Sequence, residues 1–93
     1  MTSPTRADLV KCKSTSFRWA PKWHSTNIGD GTTEHLMGKG DGRGVALFRT
    51  RQECRDWITD THGYIAKRRD LRIEPHGWRM PRPVRVRITV EEL

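Results

Sequence analysis

The C-terminal segment is the part of the sequence that most constrains the fold. From position 84 to 90, apolar side chains occupy every second position, and Arg85, Arg87 and Thr89 stand between them. An alternation with a period of two indicates a β-strand that turns one face to a core and the other to water. Three prolines lie just before this strand and exclude a continuous helix or a central strand there, so we expect residues 71–83 to be irregular.

The clearest helix signal lies in the middle of the chain. Residues 45–48 form an apolar run that predicts a short strand, and Thr50 then stands three residues before Glu53. That spacing is typical of a capping box, in which the threonine hydroxyl accepts a hydrogen bond from the glutamate amide. We expect a helix from residue 51 to about 62, ended by Gly63 in the left-handed conformation. Its apolar stripe consists of Cys54, Trp57 and Ile58.

The remaining segments are shorter and less regular. Residues 1–8 are typical of a flexible arm, and residues 38–44 are too rich in glycine to form a regular element. Residues 9–23 predict one strand, or two short strands broken by Pro21. Residues 32–37 predict a further short strand.

These elements predict a single α+β domain that begins at residue 9. We expect an antiparallel sheet of three to five strands, with one main helix packed on one face. The predicted core consists of Val45, Leu47, Cys54, Trp57, Ile58, Val84, Val86, Ile88 and Val90, with some of Phe17, Trp19 and Leu36.

The length of 93 residues limits the classes of protein that the chain can form. It is enough for one small domain, which excludes a large cleft enzyme and a multidomain protein. The longest apolar run is far shorter than the roughly 20 residues that cross a bilayer, so we expect no membrane association. The first residues contain no apolar stretch of the kind found in secretory signals, so we expect a cytoplasmic protein.

The charge of the chain is the main indication of function. There are 18 basic and 11 acidic residues, which gives a net charge of +7, and arginine outnumbers lysine by 13 to 5. Guanidinium groups bind phosphates in a bidentate manner and stack on aromatic rings. A basic surface interleaved with aromatic residues is typical of a nucleic-acid-binding face. The candidate binding residues are Lys67, Arg68, Arg69, Arg72, Trp78, Arg79, Arg82, Arg85 and Arg87.

A second interpretation of the same residues stays open. The arginines form a solvated face, with their stems over apolar surface and their charges paired with carboxylates.

Motifs that carry catalysis or metal binding are missing from the sequence. The four histidines are scattered, and no CxxC or HxxxH pair is present, so we expect neither a metal nor another cofactor. Glu74 stands two residues before His76, but no third partner or nucleophile motif accompanies them. We therefore expect a protein that binds and is not an enzyme.

The chain resembles short basic proteins of bacteriophages over about residues 45–90. The resemblance rests on residues 63–72, 74–81 and 84–86, and on 48–51 leading into the predicted helix. It implies a phage or prophage origin and an accessory role that acts on host proteins or nucleic acid; some such proteins inhibit CRISPR–Cas systems.

A shorter resemblance covers the predicted strand-to-helix junction. Phe48, Thr50, Glu53 and Trp57 match the spacing in arm-binding domains of phage tyrosine recombinases. Those domains place a three-stranded sheet against DNA. This chain departs from them by its proline-rich segment and its strong final strand, and it carries no recombinase catalytic domain.

The leading functional hypothesis is a small basic phage-type accessory protein that binds DNA or RNA through an arginine-rich face. One alternative is a protein–protein inhibitor of a host factor, such as a CRISPR–Cas defence complex. Another is a minor structural protein of the virion. The open edges of a small sheet also favour a homodimer.

Overall fold

The computed structural model of the protein describes residues 12–29, 31–38 and 44–93. The predicted arm at residues 1–8 and most of the predicted glycine-rich loop therefore lie outside the described residues. Within the described ranges, the chain forms one three-stranded antiparallel sheet in the order β2-β1-β3, together with helices. The α+β class predicted from the sequence is confirmed.

Strand β1 is the organising element of the sheet. It runs from Lys13 to Asn27, and its second half pairs with β2, which spans Gly31–Leu36. Its first part, residues 13–22, pairs instead with β3, which spans Arg82–Glu91. The sheet therefore has three strands side by side only around Lys22, which is opposite both β2 and β3.

Pro21 does not break β1, which corrects one of the two expectations for residues 9–23. It lies directly opposite Pro83 of β3, and its carbonyl oxygen accepts from the Met37 amide on the other side of the strand. The two prolines are thus a non-hydrogen-bonded pair, in which neither nitrogen points into the ladder between them. Because no ladder hydrogen bond is lost, both prolines are tolerated inside strands.

Helix α1 spans Arg51–His62, in agreement with the predicted bounds. The Thr50 hydroxyl accepts from the Glu53 amide at 3.1 Å, as in the predicted cap, and the stripe residues Cys54 and Ile58 are buried. Gly63 follows the helix as its C-cap, as predicted, but it is in the right-handed helical region and not in the left-handed conformation. Two single-turn helices follow, α2 at Tyr64–Lys67 and α3 at Arg69–Arg72.

The helix lies over one face of β1. Trp23 contacts the ring of His62 at the end of α1, with centroids 6.3 Å apart, and Trp78 at 5.3 Å. Phe48 contacts Trp57 of α1 at 5.9 Å. These aromatic side chains pack between the helix and the sheet, where their large rings bury much apolar area.

The predicted core is wrong in part. Val45, Leu47 and Val90 are exposed, and Val84, Val86 and Ile88 are only half-buried. Of the three further candidates, Trp19 is half-buried, whereas Phe17 and Leu36 are exposed. The predicted strand at residues 45–48 makes only isolated bridges, from Val45 to Gly38 and from Phe48 to Trp19. The buried apolar residues include several that the sequence patterns did not single out: Ala20, Met37, Ala46, Ile65 and Leu71.

The segment expected to be irregular, residues 71–83, is partly extended. Trp78 forms a bridge with Ser25, so this segment continues the line of β3 along β1. Gly77 makes the close approach possible: it has φ +61°, and the Thr26 amide donates to its carbonyl oxygen at 3.0 Å. A Cβ atom at this position would overlap the carbonyl oxygen of Thr26, so only glycine fits.

Candidate functional site

A two-stranded ribbon extends the sheet away from the helix. It consists of residues 13–19 of β1 and residues 85–91 of β3, which pair without a bulge. At the base of the ribbon, a single backbone bridge joins Trp19 to Phe48. Most of its side chains are exposed, so its two faces are available for contact.

One face of the ribbon combines aromatic rings with guanidinium groups. Phe17 lies opposite Arg87, and Trp19 lies opposite Arg85, and directly opposite residues project from the same face. The Arg85 guanidinium carbon lies 5.2 Å from the Phe17 ring centroid and 6.0 Å from that of Trp19. The Arg87 guanidinium carbon lies 5.9 Å from the Phe17 centroid. We call this set of four residues the Phe17 face.

The arginines of the Phe17 face are held by rings and not by carboxylates. Within the described residues, neither Arg85 nor Arg87 forms an ion pair with an acidic side chain. Phe17 is 48% exposed, so the cations rest on a ring that is itself open to solvent. Each cation–π contact of this kind contributes about 0.5–1 kcal/mol at an exposed site and restricts the guanidinium to the ring.

The opposite face of the sheet carries a second group of charges around Glu34. Its carboxylate contacts Lys22 Nζ at 3.2 Å and His24 Nδ1 at 3.3 Å. The hydrogen bond from His24, and then the bond and charge of Lys22, lower the pKa of Glu34. Arg82 lies opposite Lys22. Arg79 and Arg82 line a hollow together with Lys22, His24 and Glu34. Arg82 therefore lies on the other face from Arg85 and Arg87.

A third group of arginines lies at the far end of the domain. Arg69, Arg72 and Arg79 line an open hollow of about 370 Å³ together with Ile73. The Arg79 Nη1 donates to the carbonyl oxygens of Arg72 at 2.9 Å and of Trp78 at 3.1 Å. These two hydrogen bonds hold the Arg79 guanidinium in place. No acidic side chain is among the described residues that line the hollow.

The predicted binding residues therefore do not form a single surface. Arg85 and Arg87 share a face, as the alternation predicts, whereas Arg69, Arg72 and Arg79 group together at the hollow. Arg82 belongs to the Glu34 group, and Arg79 lines the hollow of that group as well. Lys67 is exposed at the end of α2.

Among the described residues, Arg68 is the one predicted binding residue that forms an ion pair with a carboxylate. Its Nη2 lies 2.6 Å from Asp70 Oδ2, and its Nε donates to Oδ1 at 3.2 Å. The hydrogen bonds and the charge of Arg68 lower the pKa of Asp70. A guanidinium held in this bidentate way has fewer donors left for a ligand.

Trp78 takes part in packing more than in surface contact. It is half-buried, and its ring contacts Trp23 at 5.3 Å and His76 at 5.7 Å. The aromatic residue exposed beside Arg85 and Arg87 is Phe17, one of the three residues of which some are expected in the core. A signal for Phe17 existed in the sequence, because Phe17 and Trp19 are two residues apart in a predicted strand and so must share a face.

Two further observations bear on the class of protein. Within the described residues, no three histidine, cysteine or acidic side chains lie close enough together to hold a metal ion. Among the helices of the same residues, none is long and apolar enough to cross a membrane.

Comparison with known proteins adds no relative. The chain matches no family model, no curated protein and no solved structure.

Proposed function

We propose that the chain is an accessory protein that binds duplex DNA through the Phe17 face of its ribbon. The observation that carries the proposal is that the guanidinium carbons of Arg85 and Arg87 lie 5.2 and 5.9 Å from the centroid of the exposed Phe17 ring. A cationic surface of this kind, free of carboxylate partners among the described residues, attracts the phosphate backbone.

Stacking prepares both guanidinium groups for binding. A guanidinium that lies over a ring keeps the N–H donors at its edge available for hydrogen bonds. Those donors match a phosphate or the O6 and N7 atoms of guanine. Because the ring already restricts the side chain, less conformational entropy is lost when the ligand binds.

The dimensions of the ribbon favour DNA over duplex RNA. The major groove of B-DNA is about 12 Å wide and admits a two-stranded β-ribbon. The major groove of A-form RNA is deep and narrow, so side chains on a ribbon do not reach its bases. The net charge of +7 attracts DNA and RNA alike at long range, so it does not discriminate between them.

The test is a titration of labelled duplex DNA followed by fluorescence anisotropy at low salt. We expect the double variant R85Q/R87Q to bind at least about tenfold more weakly, because two charge-assisted contacts are lost. The control is R51Q/R55Q, which removes the same charge from α1. Duplex RNA of the same sequence is titrated in parallel, and we expect weaker binding to it.

Two results would contradict the proposal. Equal losses in both double variants would mean that only net charge matters, and an unaltered affinity in R85Q/R87Q would exclude the Phe17 face. If the wild-type chain bound no nucleic acid, capture of a discrete host protein after nuclease treatment would favour the inhibitor hypothesis instead.

A further inference from the structure

The outer edge of β3 carries backbone groups that point away from the sheet. Trp19 exchanges both backbone hydrogen bonds with Phe48 on the side away from β3, so the pair of Trp19 and Arg85 is non-hydrogen-bonded. Because the pattern alternates, every second residue of β3 directs its N–H and C=O outward. The residues with outward N–H groups are Arg85, Arg87, Thr89 and Glu91.

This edge has little protection against pairing. Within the part of the chain that the structure describes, β3 pairs only with β1. Exposed edges are normally shielded by proline, by charged side chains, by a bulge or by a covering segment, and the charged side chains of β3 are of both signs. Pro83 shields only the beginning of β3, and Val90 near its other end is 64% exposed.

The charge along β3 is self-complementary. Its first half carries Arg85 and Arg87, and its end carries Glu91 followed by Glu92. An antiparallel partner with the same sequence brings the basic half of one strand against the acidic end of the other.

We propose that the chain forms a dimer in which β3 pairs antiparallel with β3 of a second copy. With the two-fold axis at Ile88, Arg85 lies opposite Glu91 of the second copy and Arg87 lies opposite its Thr89. Val86 then covers the exposed Val90 of the second copy. These odd-numbered positions are the ones with outward backbone groups, so the register allows a complete ladder. An axis at Arg87 would instead oppose two like charges.

The dimer changes the proposed DNA-binding surface, an inference that rests on the proposed function. Directly opposite residues share a face, so both copies of the Phe17 face lie on the same side of one continuous sheet. The surface then carries four arginines related by two-fold symmetry, and the two Arg85 side chains lie opposite Glu91 of the other copy. The dimer surface is four strands wide, so it meets a duplex at the phosphate backbone, whereas the ribbon of the monomer enters the major groove.

Association is measured by sedimentation equilibrium without nucleic acid, so that its outcome is independent of DNA binding. We expect the wild-type chain to dimerise. R85E and E91R should each weaken dimerisation on the order of tenfold or more, because two attractive pairs become repulsive. An equimolar mixture of R85E and E91R should dimerise again, since both cross-strand pairs are then of opposite charge.

A backbone variant tests the same edge without a change of charge. Thr89→Pro removes an outward N–H that has no partner among the described residues, and Thr89→Val keeps that N–H as the matched control. We expect dimerisation to be lost in the first and kept in the second, with both folded by circular dichroism. The proposal would be overturned if the wild-type chain were monomeric or if the mixture of R85E and E91R did not dimerise. Equal dimerisation of the two Thr89 variants would also overturn it.

Discussion

Replacing Arg85 and Arg87 by glutamine should change how DNA affinity depends on salt. Each cation that neutralises a DNA phosphate releases a condensed counterion, and the logarithm of the binding constant then falls with the logarithm of salt concentration. The slope is about −0.9 for each phosphate contacted. Glutamine keeps a polar side chain that is uncharged and shorter by two atoms, so the main effect of the variant is the loss of charge.

The structure sets the size of the expected change. Both guanidinium groups lie on one exposed face, and within the described residues neither has a carboxylate partner. We therefore assign one phosphate contact to each guanidinium group. Two contacts correspond to a slope change of about 1.8, or about twelvefold in relative affinity over a fourfold range of salt. Lys13 shares this face but lies 3.5 Å from Glu91, so we expect it to contribute less.

The assay is a set of anisotropy titrations of one DNA duplex at several salt concentrations. The R85Q/R87Q plot should be shallower than that of the wild type by about 2, whereas that of R51Q/R55Q should be nearly parallel to the wild type. Phe17→Ala should weaken binding but keep the wild-type slope, because it removes the support of the charges and not the charges themselves. Parallel plots for the wild type and R85Q/R87Q would refute the reasoning.

Three further predictions concern the fold. Ile65→Ala should lower the free energy of unfolding by about 2–5 kcal/mol in urea titrations, because Ile65 is fully buried. Thr50→Ala should cost about 0.5–2 kcal/mol in the same assay and Thr50→Ser much less, since only the hydroxyl caps the Glu53 amide. Burial lowers the pKa of His62 below its ordinary value of 6.5, so the unfolded chain binds the proton first. Stability should therefore fall as the pH drops below about 6.5, and melting curves of His62→Gln should show a weaker dependence.

Much of the local structure could be predicted from the sequence. The bounds of α1 follow from Thr50 and from the spacing of Cys54 and Ile58, which depend only on neighbours within one or two helical turns. The alternation in β3 likewise determines that Arg85 and Arg87 share a face. Both signals are local, because the hydrophobic period of a helix or strand depends only on residues that are close together in the sequence.

The core could not be predicted in the same way. Apolar character marked Val90 and Leu47 as core residues, but the ribbon and the 45–48 segment leave them exposed. Ala20 and Ala46 are buried although they are small, because neighbouring segments approach them closely. Whether a side chain is covered depends on residues far away in the sequence, and no local pattern contains that information.

The candidate site shows the same division. The sequence alone determined the excess of arginine, the faces of the individual strands and the capped helix. Only the tertiary structure decided that β1 pairs with β3 at residues 13–22, which brings Phe17 under Arg85 and Arg87 and places Arg82 on the opposite face. The physical reason is that pairing register joins residues about 70 positions apart, and it is set by the whole packed chain and not by the periodicity of either strand.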